Sequence, residues 1–114
     1  MMKAVTTYTH FDEDAGKKND KAKTRFDLLQ ADFELAIAQV LTHGAKKYGA
    51  NNWQKVEEPT ERYYAALRRH LSAWRMGKKM DEESGLPHLA HVACNVMFLM
   101  HFDKEQEEED GGLE

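Results

Sequence analysis

Apolar residues recur at helical spacing in three stretches of the chain, and this pattern predicts three main helices. The apolar positions of the first stretch are Phe26, Leu29, Phe33, Ile37, Val40 and Leu41. This helix is expected to end between Gly44 and Gly49, because glycine readily adopts the left-handed conformation that stops a helix. The second stretch begins at Pro59 and ends at Gly77. One face of it is formed by Tyr63, Leu67, His70, Leu71 and Trp74.

The third stretch, residues 81–102, is apolar around most of its circumference, which is typical of a buried helix. Pro87 near its start fits a first helical turn. His88, His91 and Asn95 interrupt the apolar pattern at steps of three and four, so they share one stripe of the helix. Because buried polar groups need partners, this stripe is either a functional site or a hydrogen-bond network between helices.

The absence of an alternating strand pattern and the short connections predict an all-α fold, a single small helical bundle of about three main helices. A chain of 114 residues buries little surface per residue, so an oligomer is expected. Changes of composition divide the chain into a flexible basic N-terminal arm, a helical domain and an acidic disordered tail, at residues 1–25, 26–102 and 103–114.

The net charge of −4 is unevenly distributed, because seven acidic residues and one lysine follow from Asp103 onward. The remainder is slightly basic and has no basic stripe interleaved with aromatic residues, so we expect no nucleic-acid partner. No apolar run is long enough for a membrane span and no signal-peptide pattern is present, which favours a cytoplasmic protein without a membrane partner. Cys94, the single cysteine, is interpreted as a small core residue.

Several side chains outside the polar stripe are candidates for chemistry. Asp81 and Glu83 precede the third helix, and Glu34 lies on the first helix where it can face a seam between helices. His70 is either a satisfied core histidine or a fourth member of the histidine cluster. The segment GAKKYGANNW, residues 44–53, has the residue types that hold phosphates and cover a ring, but it also fits an interhelical loop held by its aromatic residues.

Together these blocks carry a family resemblance. VLTHGAKKYGANNW and AALRRHLSAWRMGKKMDEESGLPHLAHVACNVMFL, with the lead-in RFDLL, resemble the small phage and bacterial dATP/dGTP diphosphohydrolases, which are grouped with the MazG-like all-α nucleotide pyrophosphohydrolases. The resemblance covers about residues 25–102.

The resemblance implies a metal-dependent enzyme that cleaves dATP- or dGTP-type nucleotides to the monophosphate and pyrophosphate with Mg²⁺ or Mn²⁺. It also implies a homo-oligomer, a dimer or a tetramer, in a bacterial or phage-infected cell. The catalytic candidates are Asp81, Glu83, His88 and His91. The metal-ligand candidates are Glu34, Asp81, Glu83, His88 and His91. The substrate-binding candidates are Lys46, Lys47, Tyr48, Asn52, Trp53, Arg69 and Asn95.

The chain departs from the MazG-like pattern in one respect: it has neither the E-E-x-x-E nor the E-x-x-D metal motif, and His88 and His91 stand at the second location. Either the site mixes imidazoles with carboxylates, or the histidines orient Asp81 and Glu83 without touching the metal. Two further hypotheses stay open. One is a non-catalytic nucleotide- or protein-binding phage module. The other is a different hydrolase with a transition metal on His70, Asp81, His88 and His91.

Overall fold

The computed structural model describes residues 16–111, which form three α-helices and two one-turn 3₁₀ helices. The α-helices are Ala31–Tyr48 (α1), Pro59–Arg75 (α2) and His88–Asp110 (α3). The 3₁₀ helices are Phe26–Leu28 and Asn52–Lys55. This part of the chain contains no β-strand, so the prediction of an all-α fold with three main helices is confirmed.

Helix α1 begins later than the apolar pattern predicts. Gln30 has an extended backbone, so the turn at Phe26–Leu28 is separate from α1. At the other end the helix continues through Gly44 and stops at Gly49, whose φ of 97° is accessible mainly to glycine. The predicted loop 44–53 is therefore half helix: its first five residues are the end of α1, and Trp53 lies in the second 3₁₀ helix.

The connection between α2 and α3 is a tight loop that folds back on itself. Met80 and Pro87 form an isolated antiparallel bridge, and the Asp81 N–H donates to the Leu86 carbonyl at 2.8 Å. The Gly85 N–H donates to the Asp81 carbonyl, also at 2.8 Å, and Gly85 has a positive φ of 72°. These bonds fix the backbone on both sides of Asp81 just before α3 begins.

Helix α3 extends beyond the apolar stretch to Asp110, so residues 103–110 are helical where the sequence predicted a disordered tail. Like charges repel, but each added residue of an existing helix gains a backbone hydrogen bond without a new nucleation cost. Gln106 also donates to the Asp110 carboxylate at 2.9 Å. Residues 112–114 lie outside the described residues. Residues 1–15 of the predicted basic arm do so too, and residues 16–25 are exposed.

The interior is small and centred on α3, which packs against both α1 and α2. Val40, Ala90 and Cys94 are its buried apolar residues, and Cys94 is only 1% exposed. An aromatic cluster extends this core toward the far end of α3. Its members are Trp53, Tyr63, Phe98, His101 and Phe102. The Trp53 and Phe98 rings stack with centroids 4.5 Å apart.

Large apolar side chains at the start of the described chain remain exposed. Phe26 is 77% exposed and Phe33 64%, although both belong to the predicted apolar face. Leu28, Leu29 and Leu35 are exposed beside them. Across residues 16–111, no helix combines the length and the apolar character needed to cross a bilayer.

Candidate active site

Three histidines from two helices meet where α2 packs on α3. His70 lies on α2, and His88 and His91 lie in the first turn of α3. The Nδ1 atoms of His70 and His88 are 2.9 Å apart, and the His70 and His91 rings stack with centroids 4.3 Å apart. His88 is buried, with 7% exposure. The site therefore contains an imidazole cluster at a helix–helix contact, where an apolar seam would be usual.

The loop before α3 adds a carboxylate and a hydroxyl to these imidazoles. The Ser84 N–H donates to Asp81 Oδ2 at 2.8 Å, and Ser84 Oγ lies 2.7 Å from His91 Nε2. Asp81 Oδ2 itself is 3.7 Å from His91 Nε2. Ser84 Oγ also accepts the Leu86 N–H at 3.2 Å. Ser84 thus contacts both the Asp81 carboxylate and the His91 imidazole and fixes their relative position.

Burial and hydrogen bonding set the charge of these groups. Burial lowers the pKa of His70, and the neighbouring His91 lowers it further. Burial also lowers the pKa of His91, although the Asp81 carboxylate opposes the change. For Asp81 burial acts to raise the pKa, but the bonds from Ser84 and the nearby imidazoles outweigh it, so this pKa lies below its ordinary value. These shifts favour an ionised carboxylate on Asp81 and uncharged imidazoles on His70 and His91.

This set of donors fits a divalent metal ion. One donor atom from each of His70, Asp81 and His88 lies within 4.8 Å of the others. Metal–ligand bonds of about 2.1 Å place neighbouring ligands of an octahedral ion about 3 Å apart. The Nδ1–Nδ1 separation of 2.9 Å matches that spacing. Neutral imidazole and ionised carboxylate are also the protonation states in which these side chains bind metals.

A groove of about 950 Å³ opens beside the cluster, between α1 and α2, with α3 as its floor. His91 and Arg69 line it near the imidazoles, and Tyr63 and Trp53 line it near the aromatic cluster. The volume is in the range of small-molecule sites. His91 therefore connects the imidazole cluster with the groove, since it stacks on His70 and also lines the groove.

The structure brings together only some of the predicted metal ligands. Asp81, His88 and His91 lie in the cluster. Glu34 is exposed in the first turn of α1. Glu83 forms an ion pair with Lys47, which lowers the pKa of Glu83 and raises that of Lys47.

Only some of the predicted substrate-binding residues line the groove. Tyr48, Asn52, Trp53 and Arg69 line the groove. Lys46 and Lys47 are exposed in the last turn of α1. Asn95 is buried, and its amide donates to the His91 carbonyl at 2.8 Å. Its side chain therefore makes a bond within α3.

Sequence reasoning left the role of His70 open and missed that of Ser84. His70 lies among apolar residues of α2, and its spacing does not show which α3 residues face it. The pattern of the sequence assigns Ser84 no role in the site. Its position three residues after Asp81 is the signal that was available, because a carboxylate commonly accepts backbone N–H groups two or three residues later.

The fold and the site define a small helical protein with an imidazole–carboxylate cluster beside a groove of nucleotide size. Residues 13–111 match the family described as dATP/dGTP diphosphohydrolase, N-terminal, and the chain belongs to that family. It is 37% identical over 84 residues to a protein of Salmonella phage PMBT28 named dATP/dGTP diphosphohydrolase. The match covers 74% of this chain but only 28% of the phage protein. No solved structure matches.

Proposed function

We propose that this chain is a metal-dependent nucleotide pyrophosphohydrolase that converts dATP- or dGTP-type triphosphates to the monophosphate and pyrophosphate. The observation that carries the proposal is the position of the His70–Asp81–His88 cluster at the edge of a groove large enough for a nucleotide. The name of the phage relative supports the substrate class, although this chain spans about a quarter of that relative's length.

The chemistry requires water to replace the bridging oxygen at one phosphorus of the α–β anhydride. A divalent ion, when bound, would neutralise phosphate oxygens and orient that water. Asp81 and His88 would hold such an ion, of which Mn²⁺ and Mg²⁺ are the candidates. His91 lines the groove beside them, and in this proposal its imidazole hydrogen-bonds the attacking water.

Cationic and aromatic side chains along the groove supply the remaining contacts. Arg69 lies in its wall near His91, where a guanidinium can bind phosphate oxygens. Lys46 and Lys47 lie in the last turn of α1, between the lining residues Ala45 and Tyr48, and we propose that they add positive charge there although Lys47 pairs with Glu83. Tyr48, Asn52 and Trp53 also line the groove, and in this proposal they contact the sugar and base.

The exposed apolar surface supports a homo-oligomer as part of the same proposal. Phe26, Leu28, Leu29, Phe33 and Leu35 form an apolar segment on and before α1 that the described residues leave uncovered. A soluble protein seldom exposes so many large apolar side chains together. A second copy of the chain covers this surface in the proposal, as the resemblance to MazG-like enzymes implies.

The test is a phosphate-release assay with the purified chain, four deoxynucleoside triphosphates and Mn²⁺ or Mg²⁺, run with and without inorganic pyrophosphatase. We expect phosphate only when pyrophosphatase is present, most of it from dATP or dGTP. Phosphate without pyrophosphatase would indicate stepwise removal of terminal phosphates. No product from folded protein whose melting temperature rises with nucleotide would favour the non-catalytic binding module.

A further inference from the structure

We propose that His70, Asp81 and His88 form one metal site that selects Mn²⁺ or another transition-metal ion over Mg²⁺. Compared with the ligands expected from the sequence, this site adds His70 and leaves out Glu34, Glu83 and His91. The catalytic meaning of this site rests on the proposed function, but the site itself is tested by metal binding.

The first argument is the arrangement of the donor atoms. His70 Nδ1 and His88 Nδ1 are 2.9 Å apart, and an oxygen of Asp81 lies within 4.8 Å of one ring nitrogen of each histidine. Without a metal, one imidazole must donate a hydrogen to the other. With a metal, both lone pairs can point to the same ion, and the observed spacing suits two adjacent ligands.

The second argument is that the donors are held by the surrounding structure. The His88 N–H donates to the Lys79 carbonyl at 2.8 Å, so the start of α3 is tied to the loop. Asp81 is held by the Ser84 N–H, and His91 stacks on His70 from the side of the groove. Metal sites commonly depend on such supporting contacts to orient the ligands.

The surroundings of the two glutamates make them less suitable ligands than His70. Glu83 is exposed and paired with Lys47, and Glu34 is exposed at the opposite end of α1 from that lysine. Binding by Glu83 would break its ion pair. The ligand set inside the protein thus contains two nitrogens and one carboxylate.

The chemical class of the ion follows from these donors. Mg²⁺ prefers six oxygen ligands and gives up its water reluctantly. Imidazole nitrogen favours first-row transition metals, with affinity rising from Mn²⁺ through Co²⁺. A site with two imidazoles is therefore expected to bind Co²⁺, a spectroscopic probe, and Mn²⁺ more tightly than Mg²⁺.

In the experiment, Co²⁺ is titrated into the metal-free protein, and its binding is measured by calorimetry and by visible absorption. We expect one ion per chain and affinity at least about tenfold weaker in His70→Gln and His88→Gln. His101→Gln is the matched control, because His101 is a half-buried histidine of α3 that contacts Trp53. It should bind Co²⁺ like the unmodified chain. Unchanged affinity in His70→Gln, or displacement of Co²⁺ by an equal concentration of Mg²⁺, would overturn the proposal.

A second measurement covers the case in which a variant fails to fold, as judged by circular dichroism. In the unmodified chain labelled with ¹⁵N-histidine, Zn²⁺ should shift the Nδ1 resonances of His70 and His88. Unshifted resonances would overturn the site. Metal binding without pyrophosphate release would contradict the proposed function and leave the site standing. Full turnover by His70→Gln with Mg²⁺ would contradict the metal site and leave the proposed function standing.

Discussion

The contact between α2 and α3 and the outer surface before and along α1 are opposite in character. At the first, imidazoles and a carboxylate are buried or half-buried where a helix contact usually holds apolar side chains. At the second, Phe26 and Phe33 are exposed where polar side chains are usual. Polar groups inside and apolar groups outside both cost free energy in an isolated chain.

The two proposals made above assign a different kind of partner to each region. In the first, a metal ion bound by His70, Asp81 and His88 would offset the cost of burying these polar groups. The outer surface has no polar pattern and only a broad apolar area, which suits another protein surface. We therefore expect substitutions at the α2–α3 contact to alter turnover, and substitutions on the apolar surface of α1 to alter the oligomeric state.

The largest effect is expected from Asp81→Asn. This change keeps the side-chain shape and an oxygen that can accept the Ser84 N–H, but it removes the negative charge from the His70–Asp81–His88 cluster. We expect turnover to fall by about a hundredfold or more, with a melting temperature close to that of the unmodified chain. The pyrophosphatase-coupled assay measures turnover, and circular dichroism measures the melting temperature. Asp103→Asn, on the exposed part of α3, is the control and should leave turnover unchanged.

Ser84→Ala should reduce turnover by about tenfold, because the hydroxyl orients His91 and supports the loop through the Leu86 N–H. The backbone bond from Ser84 to Asp81 remains, so the effect should be smaller than that of Asp81→Asn. Ser72→Ala, at an exposed position of α2, is the matched control. Equal activity of Ser84→Ala and the unmodified chain would show that His91 does not need this contact.

Phe33→Glu should shift the oligomer toward the monomer, because it places a charge within the apolar surface of α1. The expected change is at least tenfold in the dissociation constant, or about 1.4 kcal/mol, measured by sedimentation velocity across a concentration series. Gln39→Glu adds the same charge at another exposed position of α1 and should not change the oligomer. An unmodified chain that sediments as a monomer at every concentration would refute the second copy.

The smallest effect is expected from Cys94, which belongs to the core and to neither region. Burial raises the pKa of its thiol from 9.0 to about 11. Above pH 9 the unfolded chain loses this proton while the folded chain keeps it, so stability falls as pH rises from 9 toward 11. Cys94→Ala removes that contribution. Between pH 9 and pH 11 the melting temperature of Cys94→Ala should fall by a few degrees less than that of the unmodified chain. Equal falls would contradict the raised pKa of the Cys94 thiol.

The sequence predicts the helices well and the site in part. The spacing of apolar residues locates α1, α2 and α3 because a helix repeats at a fixed short period. It does not place the start of α1, since Phe26 and Leu29 continue the same period across a break at Gln30. It also ends the third helix too early, because charge repulsion in residues 103–110 was given more weight than helix continuation.

The amino-acid sequence by itself determined the all-α class, the shared stripe of His88, His91 and Asn95, and the family. Each of these depends on neighbours along the chain or on order within a motif. Only the tertiary structure decided that His70 faces His88, that Glu83 pairs with Lys47, and that Asn95 bonds within its own helix. Those outcomes depend on how α1 and α2 are rotated against α3. That rotation is set by packing between residues far apart in sequence, which no local period encodes.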